Sequence, residues 1–131
     1  MKKLKIIVHL QDFNKQIVED ITFENVKKFI EIIKEKWTNT SLGEIPFEII
    51  PEFVYGDWKD LKNKNTLPKD YYNLILSSET IYNSENYKSL LDLFKKCLIK
   101  KENEAFVLLS SKTYYFGCGG KLQLFYHVFM D

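Results

Sequence analysis

Histidine and cysteine are scarce, two of each in 131 residues, and His9 and His127 with Cys97 and Cys118 do not make up a closed zinc site. No metal is therefore expected, and two unmatched thiols fit a reducing compartment, the cytoplasm or the nucleus. An excess of either charge is also missing: 19 basic side chains meet 18 acidic ones, for a net charge of +1. The pairs Lys2/Lys3, Lys27/Lys28, Lys95/Lys96 and Lys100/Lys101 are scattered over several expected elements, as on solvated helix faces. That distribution argues against a phosphate-binding stripe and so against nucleic acid as a partner. Long apolar runs are lacking as well. The opening "MKKLKIIVHLQD" starts like a signal peptide, but His9 interrupts its apolar stretch, which ends at Gln11 and Asp12. It is shorter than an export core needs, and no segment is long enough to span a bilayer. Internal repeats and low-complexity segments are absent too.

What is present is enough apolar material for one core: 45% of residues are hydrophobic and 15% aromatic, as in a folded single domain spanning 1–131. The hydrophobic period switches repeatedly along it. "LKIIVHL" (Leu4 to Leu10) reads as a strand covered on both faces. From Asn14 to about Trp37 the period is helical, with Val26, Phe29, Ile30, Ile33 and Trp37 on one stripe. "FEIIPEFVYG" is extended, with Pro51 imposing a break or an edge position, and Lys59 to Asp70 reads as a polar surface connection. "YYNLIL" is a third strand. Asn83 or Ser84 then caps a helix carrying Tyr87, Leu90, Leu91, Phe94 and Leu98. "EAFVLLSS" is a fourth strand, and a last helix begins near Lys121 with Leu122, Phe125 and Phe129 on one side.

Alternating strands and helices imply crossovers, and crossovers imply a largely parallel sheet with helices on its faces. Ligands of such sheets lie beyond the carboxyl ends of the strands. Each apolar run here is followed by polar and aromatic groups: Gln11 to Asn14, Gly56 to Trp58, Ser77 to Asn83, and Ser110 to Gly120. The common expectation is a crevice at those ends.

The segments "VHLQDFN", "YGDWKDL", "YNLILSSETIYN" and "LLSSKTYYFGCGG", in that order and with helix-length spacers, resemble the histidine protein methyltransferases. The resemblance runs from about Ile6 to Phe125, and "SETIYN" and "YYFGCGG" are its specific parts. It implies a partial Rossmann-like, doubly wound, mostly parallel α/β sheet of the class I methyltransferase type, with S-adenosylmethionine as cofactor and a protein histidine as acceptor. It places Asp12 on the cofactor's ribose hydroxyls, with Phe13 and Ser78 also at the cofactor, and Asp57 and Trp58 at its adenine. Glu79 and Tyr82 match the acidic-x-x-aromatic motif at the entrance for the target side chain. Tyr115, Phe116 and Gly117 fall in the acceptor-side loop.

The residues support these roles chemically while leaving others open. A carboxylate at a strand end suits a vicinal diol, yet Asp12 also suits a helix cap. Glu79 could face the cation that develops on an alkylated imidazole and, by holding the far ring N–H, select its tautomer. It could equally be a first-turn helix carboxylate.

One departure stands out: the family's first strand and its glycine-rich loop have no counterpart here, nor do the closing C-terminal strands. The expectation is a chain truncated at both ends, with open strand edges that invite a homodimer. The competing reading is a catalytically inactive remnant that serves as a protein interaction domain.

Overall fold

The computed structural model describes residues 3–101 and 104–130, and these divide into two compact units, 1–57 and 58–131. The architecture is mixed α/β, with two parallel strand pairs joined internally by helical crossovers. This is compatible with a partial Rossmann-like fold. Among the described residues no helix is long and apolar enough to cross a membrane.

The first unit pairs β1 (Leu4–Asp12) with β2 (Phe47–Tyr55) in parallel, from Leu4 opposite Phe47 to Asp12 opposite Tyr55. The expected helix between them starts as a π-helical segment, Ile17–Thr22, and continues as α1 (Phe23–Thr38). Rings fasten this crossover to β2: Phe23 packs on Phe53 at 5.4 Å, and Trp37 meets Phe47 edge-on at 5.8 Å. Val26, Ile30, Ile33 and Trp37 are half-buried, whereas Phe29 turns out to solvent. Pro51 lies opposite Val8 within an unbroken β2, the edge position that a residue without an N–H tolerates. The expected cover on both faces of β1 is not met, since Leu4, Ile6, Ile7 and Val8 are all exposed.

The second unit corrects the reading of Lys59 to Asp70 as surface. It opens with α2 (Trp58–Asn63), whose Leu61 is buried, as is Leu67 beyond it. The polar shell of α2 is bonded to α3 (Tyr87–Cys97): Lys62 Nζ reaches Asp92 at 2.8 Å, and Lys96 Nζ donates to the Lys62 carbonyl at 2.8 Å. The Lys62 hydrogen bond holds the Asp92 carboxyl below its ordinary range against the opposing effect of burial. β3 (Leu74–Ser78) and β4 (Phe106–Ser110) pair in parallel, Leu74 opposite Phe106. Both alternate. Ser77 and Leu109 turn inward, while Leu74, Leu76, Phe106 and Leu108 form an open apolar face.

The core of this unit gathers Ile81, Tyr87, Leu90, Leu91, Tyr115 and Phe125, with Trp58, Phe94, Leu109 and Val128 packed against it. α4 (Leu122–Met130) turns Phe125 and Val128 to that core, not the expected row, because Leu122 and Phe129 are exposed. Cys97 is buried, which pushes its thiol up, and Cys118 is exposed.

Candidate functional site

In the first unit the expected cofactor residues Asp12, Phe13 and Asp57 meet at the carboxyl end of the strand pair. The Gly56 N–H donates to the Asp12 carbonyl at 3.1 Å, and Gln11 Nε2 donates to the Gly56 carbonyl at 2.9 Å, so the two strand ends are stitched together. Asp12 Oδ1 accepts from the Asn14 N–H at 2.8 Å, and Asn14 Oδ1 accepts from the Gln16 N–H at 2.9 Å. The capping alternative is thus realised as consecutive Asx turns into the crossover. It engages one of the two carboxylate oxygens and fixes the orientation of the other. Phe13 is exposed at this end. An acceptor-only group on a strand end, held by its own backbone, fits a ribose diol.

In the second unit the two specific motifs come together, backbone against backbone. Asn83 bridges Gly119 in antiparallel fashion, and Tyr114 bridges Lys121. A Cβ on Gly120 would lie closer than 3.0 Å to the carbonyl oxygens of Ile81 and Tyr82. Gly120 is therefore glycine for want of space. Tyr87 adds a pin from α3: its hydroxyl accepts from the Lys121 N–H at 2.7 Å and lies 3.0 Å from the Ile81 carbonyl and 3.2 Å from that of Lys121. Behind the loop, the Ser77 and Thr80 hydroxyls share a 2.6 Å hydrogen bond.

Glu79 sits in the turn leaving β3, and its N–H donates to the Ser110 carbonyl at 2.9 Å. It is not a first-turn helix residue: Asn83 caps the 3₁₀ turn Ser84–Asn86, accepting from the Glu85 N–H at 3.0 Å, and α3 follows. Its φ is +55°, in the left-handed region. Asn65 and Asp70 are also left-handed, but Asn and Asp visit that region readily and glutamate does not. A strain of this kind at a strand end is a hallmark of functional positions.

Tyr115 differs from its expected role as a substrate platform. It is only 8% exposed and belongs to the core, with its hydroxyl accepting from the Lys112 N–H at 3.1 Å. Burial pushes that hydroxyl above the ordinary phenol range. The Lys112 N–H opposes the shift, and the nearby negative charge of Glu79 adds to it. Tyr115 thus stands behind Glu79. The aromatic area open to a partner is that of Phe116, 88% exposed, together with Tyr114 and Tyr82. Gly117, with φ of +76°, turns the loop tip beside it. Ser78 edges an open depression of about 410 Å³ with Leu76, Leu108 and Ser110. Trp58 packs on the core side of its unit. Sequence reasoning missed Tyr87 and Gly120 as the parts that join the motifs; Gly120, the last residue of the specific motif "YYFGCGG", carried the one available signal.

No protein-family model matches the chain. Among curated proteins it is similar to "Histidine protein methyltransferase 1 homolog" of Mus musculus, 31% identical over 128 residues that make up 90% of this chain and 34% of that protein. The protein of the same name in Bos taurus is 30% identical over 131 residues, 90% of this chain and 34% of that one. Its Dictyostelium discoideum namesake is 31% identical over 119 residues, 91% and 32%. The chain spans about a third of the length of the curated relatives it matches.

Proposed function

We propose, from the premise that this chain is kin to the histidine protein methyltransferases over nine tenths of its length, that it forms one partial domain of a protein histidine methyltransferase. The domain covers 1–131, uses S-adenosylmethionine and works in the cytoplasm or nucleus. The observation that carries the reading is the backbone junction of "SETIYN" with "YYFGCGG", which presents a strained carboxylate beside exposed rings.

When bound, S-adenosylmethionine supplies an electrophilic methyl group on a sulfonium. Asp12 holds the ribose hydroxyls, flanked by Phe13, while Asp57 and Trp58 serve the adenine and Ser78 borders the cofactor's path. Glu79 accepts the N–H of the acceptor imidazole. That hydrogen bond leaves the other ring nitrogen unprotonated and aimed, and the carboxylate then faces the positive charge the ring acquires. Tyr82, with Phe116 at the turn made by Gly117, walls the slot for the acceptor ring. Alignment is the main task in such a displacement, and groups on a rigid junction suit it.

Calorimetry with S-adenosylmethionine and S-adenosylhomocysteine tests the cofactor half. Saturable heat that Asp12→Ala and Trp58→Ala weaken is expected, and a folded chain silent at about millimolar cofactor, an affinity worth about 4 kcal/mol, refutes it. Glu79→Gln tests the acceptor half: cofactor affinity should hold while methyl transfer to a histidine-bearing protein falls about a hundredfold. Equal loss of both removes Glu79 from the acceptor site.

A further inference from the structure

Glu79, with its φ of +55°, crowds its Cβ against the carbonyl oxygen that follows, and such a residue persists only where its surroundings enforce the conformation. The chain is fixed on both sides of it. The Glu79 N–H is bound to the Ser110 carbonyl at 2.9 Å, at the end of β4, and two residues on the Ile81 carbonyl accepts from the Tyr87 hydroxyl at 3.0 Å. These bonds secure the entry and the exit of the turn. Across its mouth runs a third, the 2.6 Å hydrogen bond between the Ser77 and Thr80 hydroxyls. It joins positions three apart and so closes a ring around Ser78 and Glu79. Neither hydroxyl is spent on a helix cap, because β3 ends at Ser78 and the cap of the 3₁₀ turn that follows is Asn83. Ser77 is buried, so water competes poorly for its hydroxyl, and a shielded bond of this kind is comparable in strength to the strain of one left-handed residue.

We propose that Ser77 and Thr80 are positioning residues, whose shared hydrogen bond clasps the turn and keeps the Glu79 backbone left-handed, so that its carboxylate leaves the turn toward the acceptor imidazole. The inference rests on the methyltransferase reading and adds two residues that act on the reaction through Glu79, touching neither cofactor nor acceptor. With the clasp open, Glu79 relaxes toward the ordinary backbone regions, which swings its Cα–Cβ bond and carries the carboxylate off its line. A carboxylate about 1 Å out of place loses much of its hold on the charge that develops as the methyl group is transferred.

Three variants separate the clasp from plain packing. Thr80→Val leaves the buried Ser77 hydroxyl without this partner and should lower the Tm, whereas Ser77→Ala with Thr80→Val removes both hydroxyls and should bring the Tm back near that of the parent. Thr80→Ser keeps the bond. In the double variant kcat for methyl transfer to a histidine-bearing protein should fall about tenfold while the KM for S-adenosylmethionine holds, and Thr80→Ser should keep both within about twofold of the parent. Activity then follows the clasp and not the stability. Amide NMR reads the backbone directly: a left-handed residue brings its own amide and α protons closest together, so the strong intraresidue cross-peak of Glu79 should weaken in the double variant and persist in Thr80→Ser. An unchanged cross-peak in the double variant, a kcat that tracks the Tm across the three variants, or a full kcat with the cross-peak weakened overturns the proposal. An active parent whose double variant keeps both cross-peak and kcat loses the clasp and keeps the methyltransferase reading. A parent that transfers no methyl group, yet whose cross-peak weakens only when the hydroxyl pair is removed, keeps the clasp on Glu79 and loses the methyltransferase.

Discussion

Gly120→Ala is the sharpest probe of how the two motifs are joined. The added methyl group would collide with the Ile81 and Tyr82 carbonyl oxygens. Those are backbone atoms, fixed by the Asn83–Gly119 bridge and the Tyr87 hydroxyl, and they cannot rotate away as a side chain would. Overpacking costs about 1–3 kcal/mol, and immobile neighbours put this case near about 3. For a domain of this size that is a fall in Tm of about 10 °C. Gly117→Ala is the matched control. It meets open space, and its φ of +76° costs strain alone, about 1–2 kcal/mol. Thermal unfolding followed by circular dichroism ranks the two, and amide NMR shifts locate the damage. Gly120→Ala should displace Ile81, Tyr82, Asn83 and Gly119 together, and Gly117→Ala should leave the first three in place. If Gly120→Ala melts no lower than Gly117→Ala, the close approach is not what holds the motifs together.

Three further expectations follow from the same contacts. Tyr87→Phe strands the Lys121 N–H and two carbonyls, so it should cost about 1–3 kcal/mol in urea unfolding, and an unchanged midpoint would show that the hydroxyl is idle. Glu79→Gly frees the left-handed residue from strain while removing the carboxylate. Stability should be equal or up to about 1 kcal/mol higher with methyl transfer lost, and destabilisation beyond about 1 kcal/mol would refute strain at that position. The Asp92 carboxyl is held low by Lys62, so its stabilisation is present above the unfolded value, about 3.9, and disappears as pH falls through the lower folded value. Lys62→Met should therefore flatten the acid limb of a stability–pH profile below about pH 4 and leave its slope near neutrality unchanged.

The parts of this fold legible in the sequence are those with a sustained period. β1, β2, β4 and α3 emerge from their apolar runs to within a few residues. α2 was not legible, because one turn and a half of helix has room for a single inward residue, Leu61, and one residue makes no period. The face of α4 was misjudged for the opposite reason: Leu122, Leu124, Phe125, Tyr126, Val128, Phe129 and Met130 are apolar nearly all round, so burial is chosen by what the helix meets. Of the candidate site, Glu79 and Phe116 were visible as chemistry. The strain at Glu79, the withdrawal of Tyr115 into the core and the tight fit at Gly120 are properties of tertiary contact. No local pattern encodes them.

The joint between the two motifs is made from main-chain carbonyls and amides, one glycine and a tyrosine rooted in a helix. The side chains at positions 79, 82 and 116 take no part in that masonry. They are free to be exchanged, one chemistry for another, while the spacing between them stays put.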